Sequence, residues 1–525
     1  MTTPQAQVEH PTGPSHRLSR RSALLLLVAC LSVPAAPVTA QLVQVKTVPV
    51  ASGDQFLLLP SGNLAMGGVG LALPDTLGDP FGNPATGGRL AESIFFGSPT
   101  YYGISDRNGS GRSLPLGALF VSGDWFGGGA LSLQELKGAE RDQMVWPLFL
   151  DIPAWSSRAW PMPGPTPALS EASARNVYAF GMVGFRLPRS GLSLGVSGSY
   201  ADLGAMDGVD LLYAQSLEIH QSGHISDLRF GLLKEWEGDR SLEVLLLRNR
   251  VRMQHDVTYL NLIWEPVPPD TFPIPQWQAR TEENLDYTDT WGAQLAYRRP
   301  LNQRGWKLGW SLTANRKDHP KIPNYEIQNI PRDPGNTQAY SLGLGIAKTQ
   351  GPARFGADLY LEPIRSETWA DAAGDTTSAQ GGVIKAGERT IENDFLFTNV
   401  HIKTGAAFDY RKATFQAGLQ VRSISYELDQ FDRIQLEKRT QDESWMEWTP
   451  SLGVSLNLPG IRIQWVSRVT TGTGRPGTRW TNNRIDEASG AVPLSSDFIL
   501  APSGPLTLQD ARVTTHQLSL VIPMR

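Results

Sequence analysis

One cysteine, Cys30, is all this chain contains, and its eight histidines are scattered over 525 residues. If an N-terminal export segment is cleaved after Ala40, the mature chain contains no cysteine, which excludes disulfide staples. No stretch approaches the roughly 20 apolar residues that a membrane helix needs. Basic charge is not in excess either. Lys and Arg number 47 against 51 Asp and Glu, a net charge of −4, and the pI is near 6.1, which gives no support for nucleic-acid binding.

What is present is glycine and aromatic residues, with 52 Gly, 15 Trp, 13 Tyr and 18 Phe. A mean hydropathy of −0.24 fits a soluble protein. It fits a transmembrane barrel equally well, because only alternate residues of such a barrel face lipid. The length suits several ordinary domains or one large barrel.

Residues 1–40 read as a signal peptide for Sec export. Arg17, Arg20 and Arg21 form a basic region, Ala23–Ala29 an apolar core, and Val38-Thr39-Ala40 a small-residue cleavage site, which places the cut between Ala40 and Gln41. Two other readings of this leader stay open. Leu27-Val28-Ala29-Cys30 resembles a lipobox that would lipidate Cys30, and Ser19-Arg20-Arg21 resembles a twin-arginine signal. The twin-arginine route carries folded proteins, whereas a membrane barrel folds only on reaching its membrane.

From about Leu114 the chain alternates apolar and polar residues repeatedly. Leu192, Leu194, Val196 and Tyr200 do so, as do Trp306 to Leu312, Tyr340 to Ile346, Leu452 to Leu458 and Ile461 to Trp465. Period two marks strands with one apolar and one polar face. Short turns at Pro188–Gly191, Glu237–Arg240, Arg299–Gly305, Thr349–Ala353, Asp409–Ala413 and Pro459–Gly460 alternate with long polar connections. These lie near Asp124–Asn176, Asp202–Gly223, Pro266–Asp286, Lys317–Thr337, Ser366–Asp394, Asp429–Ser444 and Thr471–Ala511. Short turns on one rim and long loops on the other distinguish an outer-membrane barrel from a soluble β-sandwich.

The expected fold is therefore all-β, a transmembrane antiparallel β-barrel of about 14 strands, with strand boundaries that leave twelve or sixteen open. An even count puts both ends on the short-turn rim. Trp236, Trp291, Tyr297, Trp306, Tyr410 and Trp448 fit the aromatic girdles of such a barrel. The apolar phase slips between Met182 and Val183 and between Val421 and Ile424, and a β-bulge at each place would account for it. The last strand, His516–Met524, ends in Arg525 rather than in an aromatic residue, a departure from the usual barrel-assembly signal.

No residue pattern implies catalysis, a cofactor or a metal. His220 and His224 lie four apart around a loop-like Ser222-Gly223 and read as surface histidines, and His255, His319 and His401 have no G-x-S-x-G elbow to join. Gly68-Val69-Gly70 lacks the spacing of a dinucleotide fingerprint. Asn108-Gly109-Ser110 reads as a turn, and Thr281-Glu282-Glu283 as a solvated acidic loop. Arg229, Lys307, Arg422, Arg462 and Arg468 fall on polar strand faces. They are expected to point into the lumen and pair with Glu235, Glu243 or Asp358, where they solvate the lumen, pin a plug or meet an anion.

One stretch ahead of the strands stands apart: Ala65-Met66-Gly67-Gly68-Val69-Gly70-Leu71-Ala72, then Asp75, then Asn83-Pro84-Ala85. It resembles the N-terminal segment of the FadL/TodX outer-membrane transport family and of PorV-type outer-membrane proteins. There a glycine-rich run followed by an NPA triplet forms a hatch inside the barrel. The resemblance implies an N-terminal hatch segment over residues 41–110, with Gly67, Gly68, Gly70, Asn83, Pro84 and Ala85 as its motif, and a barrel over 111–525. It also implies fourteen strands and passive uptake of hydrophobic small molecules such as long-chain fatty acids or aromatic hydrocarbons, in some relatives through a lateral hole at a strand kink. Implied partners are a hydrophobic small-molecule ligand, outer-membrane lipid or lipopolysaccharide, and the barrel-assembly machinery during biogenesis. The Trp- and Pro-rich loops Ala154–Pro167 and Trp264–Trp277 are expected to form a capture surface. Gln55 to Pro60, QFLLLP, looks at least as much like the PorV-type branch, in which the same barrel serves protein secretion or surface attachment without small-molecule transport.

Overall fold

Alternating residues carry sixteen stretches of this chain into one closed antiparallel sheet. The computed structural model describes residues 42–47, 49–138, 173–207, 218–264, 275–302, 304–319, 335–372, 374–476 and 508–524. The leader, the loop Ala154–Pro167, most of Trp264–Trp277 and Arg525 lie outside these residues.

Strand β1 comes in two pieces, Ser93–Gly97 and Thr100–Ile104, and is followed by β2 (Ser110–Ser122), β3 (Trp125–Lys137), β4 (Ala174–Leu187) and β5 (Leu192–Leu203). Next are β6 (Glu218–Trp236), β7 (Arg240–Trp264), β8 (Pro275–Pro300), β9 (Trp306–His319), β10 (Gly335–Gln350) and β11 (Ala353–Asp371). The last five are β12 (Arg389–Tyr410), β13 (Ala413–Asp432), β14 (Glu437–Leu458), β15 (Ile461–Pro476) and β16 (Leu508–Met524). Each strand pairs with its chain neighbours, and β16 returns to β1 with Ser93 opposite Met524 and Thr100 opposite Gln517. Closure leaves no first or last edge. Both ends of the barrel wall lie at the rim that carries the short turns, where Gly238 and Gly460 take the positive φ that tight hairpins require.

The two faces are inverted relative to a soluble barrel. Leu131, Leu133 and Leu452 are 65%, 65% and 61% exposed, while Thr288, Asn399 and Ser455 on the opposite face are 0% exposed. An apolar outer band and a polar interior are stable only where lipid covers the outside. The fold is that of an outer-membrane barrel, and no helix among the described residues is long and apolar enough to cross a membrane. The six girdle aromatics all point outward. Trp236 and Tyr410 lie near the short-turn rim and Trp448 towards the long loops, each at least 40% exposed.

Sixteen strands replace the expected fourteen, and the two additions have definite causes. Strand β1 is broken at Ser98-Pro99, and its doublets Phe95-Phe96 and Tyr101-Tyr102 hide the alternation. It also starts the barrel wall at Ser93, inside the stretch 41–110 assigned to the hatch. Strand β3 opens Trp125-Phe126-Gly127-Gly128-Gly129 and was absorbed into the long connection Asp124–Asn176, because a glycine run resembles a loop.

The two expected β-bulges are not there. Pairing runs unbroken through Gly128–Met182 and Gly127–Val183, and through Val421–Trp448 and Ile424–Trp445. The apparent phase slips arise because these strands carry apolar residues on both faces. Met182 and Ile424 are both buried on the inward face, Met182 among other apolar groups. Register does shift elsewhere, between Ala370 and Asp371 and between Thr470 and Thr473.

Candidate functional site

Residues 42–92 contain no strand of the barrel, yet they touch inward-facing residues around its wall. Two side chains give the middle of this segment its shape. The Asp75 carboxylate accepts hydrogen bonds from Ser61 Oγ (2.6 Å) and from the backbone N–H groups of Gly62, Leu77 and Gly78 (3.0–3.1 Å). Asn63 Nδ2 donates to the carbonyls of Val69 and Leu73 at 3.0 and 3.1 Å. Together they sew residues 61–79 into a closed loop that needs no regular secondary structure. Gly67 and Gly68 sit within it at φ of 68° and 67°, a backbone conformation that glycine adopts without strain. Downstream, Asn83 Oδ1 accepts from Ala85 N (3.1 Å) and caps the turn Pro84–Arg89, with Pro84 at its first position.

The segment meets the wall at three cross-strand glycine pairs. Gly195 and Gly231 are partners across β5 and β6; Ala85 lies against both, with Pro84 against Gly195 and Asn83 against Gly231. Gly309 and Gly345 are partners across β9 and β10, and Leu71 lies against both. Gly405 and Gly418 are partners across β12 and β13, and the backbone of Met66 and Gly67 fills the space a side chain would take. The sequence shows these wall glycines only as polar alternates. Their signal is glycine recurring in the inward phase of neighbouring strands.

Polar side chains of the wall hold the segment's backbone between those seats. Asp358 accepts from Gly70 N (2.7 Å) and Leu71 N (3.2 Å), and Arg298 donates to the carbonyls of the same two residues at 3.2 and 2.8 Å. Gln416, Gln420 and Gln464 donate to the carbonyls of Gly62, Gly67 and Ser61. Apolar contacts add to this. Phe81 meets Phe96 and Phe180 edge-on, with ring centroids 5.5 and 5.2 Å apart. Towards the long-loop rim, Val43 and Val45 are buried among Ile364, Phe395, Phe397, Tyr426 and Leu428.

The five lumen cations divide by what they touch. Arg229 donates to Gly82 O (3.0 Å) and pairs with Asp227 (2.6 Å). Arg422 donates twice to Gln44 at 3.0 Å, and Arg468 lies 3.3 Å from Asp54, so these three bind the segment. Arg462 reaches Gln464 at 3.4 Å, beside Gly62 of the segment, whereas Lys307 pairs with Asp239 in the β6–β7 turn. None of them takes the acids expected for it. Glu235 and Glu243 bind Arg89 of the segment at 3.0 and 2.7 Å, and Glu243 also holds Arg298 (3.3 Å). Arg89, Arg298, Asn63, Gln416 and Gln420 are among the polar residues that reading the sequence missed. A cavity of about 280 Å³ remains between segment and wall, bordered by Lys46, Asp54, His401, Arg422, Glu447 and Arg468.

Within the segment, Asp79 sits beside Glu243, Asp75, Arg89 and Arg298, and burial, followed by the charge of Glu243, pushes its carboxyl up to about 8. His220 and His224 share the outward face of β6 four residues apart, about 13 Å along a strand, too far to hold one ion. Among the described residues no cluster of His, Cys, Asp and Glu could hold a metal.

No family model matches the chain, and no curated protein does. Among solved structures, a Pseudomonas aeruginosa FadL homologue is 12% identical, covering 90% of this chain and 100% of its own, with a TM-score of 0.40. The Pseudomonas putida toluene transporter TodX is also 12% identical, covering 91% and 98%, with a TM-score of 0.34. CdiB from Acinetobacter baumannii is 8% identical with a TM-score of 0.37, and the match covers 82% of this chain and 60% of that one. All three TM-scores lie below 0.5, and none of these likenesses bears on what the chain does.

Proposed function

We propose that this protein is a passive outer-membrane transporter of hydrophobic small molecules, with residues 42–92 acting as a hatch in its lumen. Sec export with cleavage before Gln41 and insertion by the barrel-assembly machinery belong to the same reading. The observation that carries it is apolar lining where a pore for polar solutes has no use for it. Phe395, Phe397, Tyr426 and Leu428 point into the barrel towards the long-loop rim and enclose Val43 and Val45. An apolar solute arriving from that rim meets a site of matching chemistry, occupied by the hatch's own first residues.

A break in the wall supports a sideways exit. Pairing between β14 and β15 stops at Trp448 and Thr471. Beyond it Gly472 takes a φ of 83°, and Gly474 bonds the segment instead, donating to Pro49 O and accepting from Ala51 N, both at 2.8 Å.

Uptake of labelled oleate into liposomes containing the purified barrel tests the reading, with saturable uptake above protein-free liposomes expected. Absent uptake together with copurifying secretion components would overturn it in favour of a PorV-type role in secretion or surface attachment.

A further inference from the structure

Outside the lumen, one cross-strand row of outward side chains forms a sharp border to the apolar band. Arg248 of β7 lies opposite Trp291 of β8, Trp291 opposite Arg316 of β9, Arg316 opposite Gln338 of β10, and Gln338 opposite Arg365 of β11. The row one step nearer the short-turn rim is Leu246, Ala293, Ala314 and Tyr340, which is apolar and bears no charge. One step nearer the long loops are Asp289, Asp318, Asn336, Glu367 and Asp394, an acidic row that Arg250 of β7 heads. Three cations with no acid among them thus lie between an apolar row and an acidic one.

We propose that the row Arg248–Trp291–Arg316–Gln338–Arg365 binds the phosphate groups of a phosphorylated glycolipid in the leaflet facing the long loops. Each part fits that occupant. A guanidinium presents a planar fork to a phosphate, and five donors in fixed geometry distinguish it from a point charge. The Arg248 guanidinium lies 4.8 Å from the centre of the Trp291 ring, and an amphipathic indole settles at the level where acyl chains meet headgroups. The apolar row takes the acyl chains. The acidic row repels a phosphate that rides higher, and so fixes its depth.

The present partners of these arginines are exchangeable. Arg316 is 70% exposed and lies 3.3 Å from Asp318. Arg365 is 59% exposed and pairs with Glu367 (2.8 Å) and Asp394 (3.0 Å). Exposed pairs of this kind contribute little in water, so a phosphate at the membrane surface competes with them directly. The proposal rests on the barrel spanning the membrane with its long loops outward, and is independent of what the lumen carries.

Native mass spectrometry of the full barrel in neutral detergent tests it with bisphosphorylated lipid A, with dephosphorylated lipid A and with inorganic phosphate alone. Retention of the bisphosphorylated lipid is expected, with binding about tenfold weaker after dephosphorylation and no retention of inorganic phosphate. The triple variant Arg248→Ser, Arg316→Ser, Arg365→Ser is expected to lose about tenfold in affinity with unchanged heat-modifiable migration on gels. Should the triple variant fail to fold, Arg316→Ser alone is expected to show a smaller loss in the same direction. Equal binding of the dephosphorylated lipid, undiminished binding by a folded variant, or full displacement by millimolar inorganic phosphate would each overturn the proposal.

Discussion

Gly405 and Gly418 face each other across β12 and β13 so that the chain at Met66 and Gly67 can lie flush against the wall. A side chain at either place has to move backbone, and overpacking of that kind typically costs about 1–3 kcal/mol. Gly405→Val is therefore expected to loosen the segment and raise ion conductance several-fold in planar bilayers, with the barrel still heat-modifiable. Gly70→Ala makes the opposite case. It belongs to the same motif, but a Cβ there meets nothing within 4 Å, and Gly70 is not among the residues at positive φ. Its conductance is expected to stay at the wild-type level.

Motif resemblance does not separate these glycines, whereas contact with the wall does. The identity of the motif residues was legible in the sequence, but the reason each is there was not, because that reason lies on strands more than a hundred residues away. The lumen arginines show the same limit. Alternation placed Arg229, Arg422, Arg462 and Arg468 on the inner face, but their partners include backbone carbonyls and Gln44, which period two does not reveal.

Asp79 adds a pH dependence to the segment. Its carboxyl ordinarily ionises near 3.8 and in the lumen near 8, so the seated segment binds the proton more tightly than the released one. The contribution of Asp79 to the stability of the seated state is fully present below the ordinary value, falls as pH rises between the two, and is lost above about 8. A nitroxide on Thr76→Cys is expected to gain mobility between pH 6 and pH 9, and Asp79→Asn is expected to abolish that gain. The same gain in the Asn variant would contradict the assignment.

Among the elements, β14 and β15 depart furthest from a uniform wall. They pair from Leu458 and Ile461 up to Trp448 and Thr471 and then separate at Gly472. Replacing Gly472 strains a backbone at φ of 83° and drives a side chain into Met446 O. Deleting Gly472 removes one residue from the stretch Thr470–Thr473, where β15 shifts register against β16, and is expected to extend its pairing with β14. The deletion is expected to reduce apolar-solute uptake several-fold in liposomes while leaving the barrel folded, and unchanged uptake would rule out an exit at this seam. That seam was hidden in the sequence, because Val469-Thr470-Thr471-Gly472-Thr473 alternates no worse than strands that do pair throughout. Conversely, the two expected bulges came from reading inward apolar residues as phase errors. A barrel with apolar contents uses both faces of a strand, and alternation weakens where the contents dock.

Taken whole, the molecule is a wall that closes on itself and a segment that leans on it. Every strand finds both neighbours without residues 42–92, whereas the segment has little regular structure of its own and takes its position from the wall. The architecture was legible because loop asymmetry and alternation are properties of the entire chain, insensitive to an error at any one strand. The strand count was not, since two strands with glycine-rich or doubled aromatic sequences escape such a pattern.

The most direct measurement is single-channel conductance of the intact mature barrel beside one lacking residues 42–92. If the segment obstructs the lumen, the intact protein passes almost no current and the deletion opens a large, steady pore from a barrel that remains heat-modifiable. An intact protein that already conducts like an open barrel, or a deletion that changes nothing, would contradict the account.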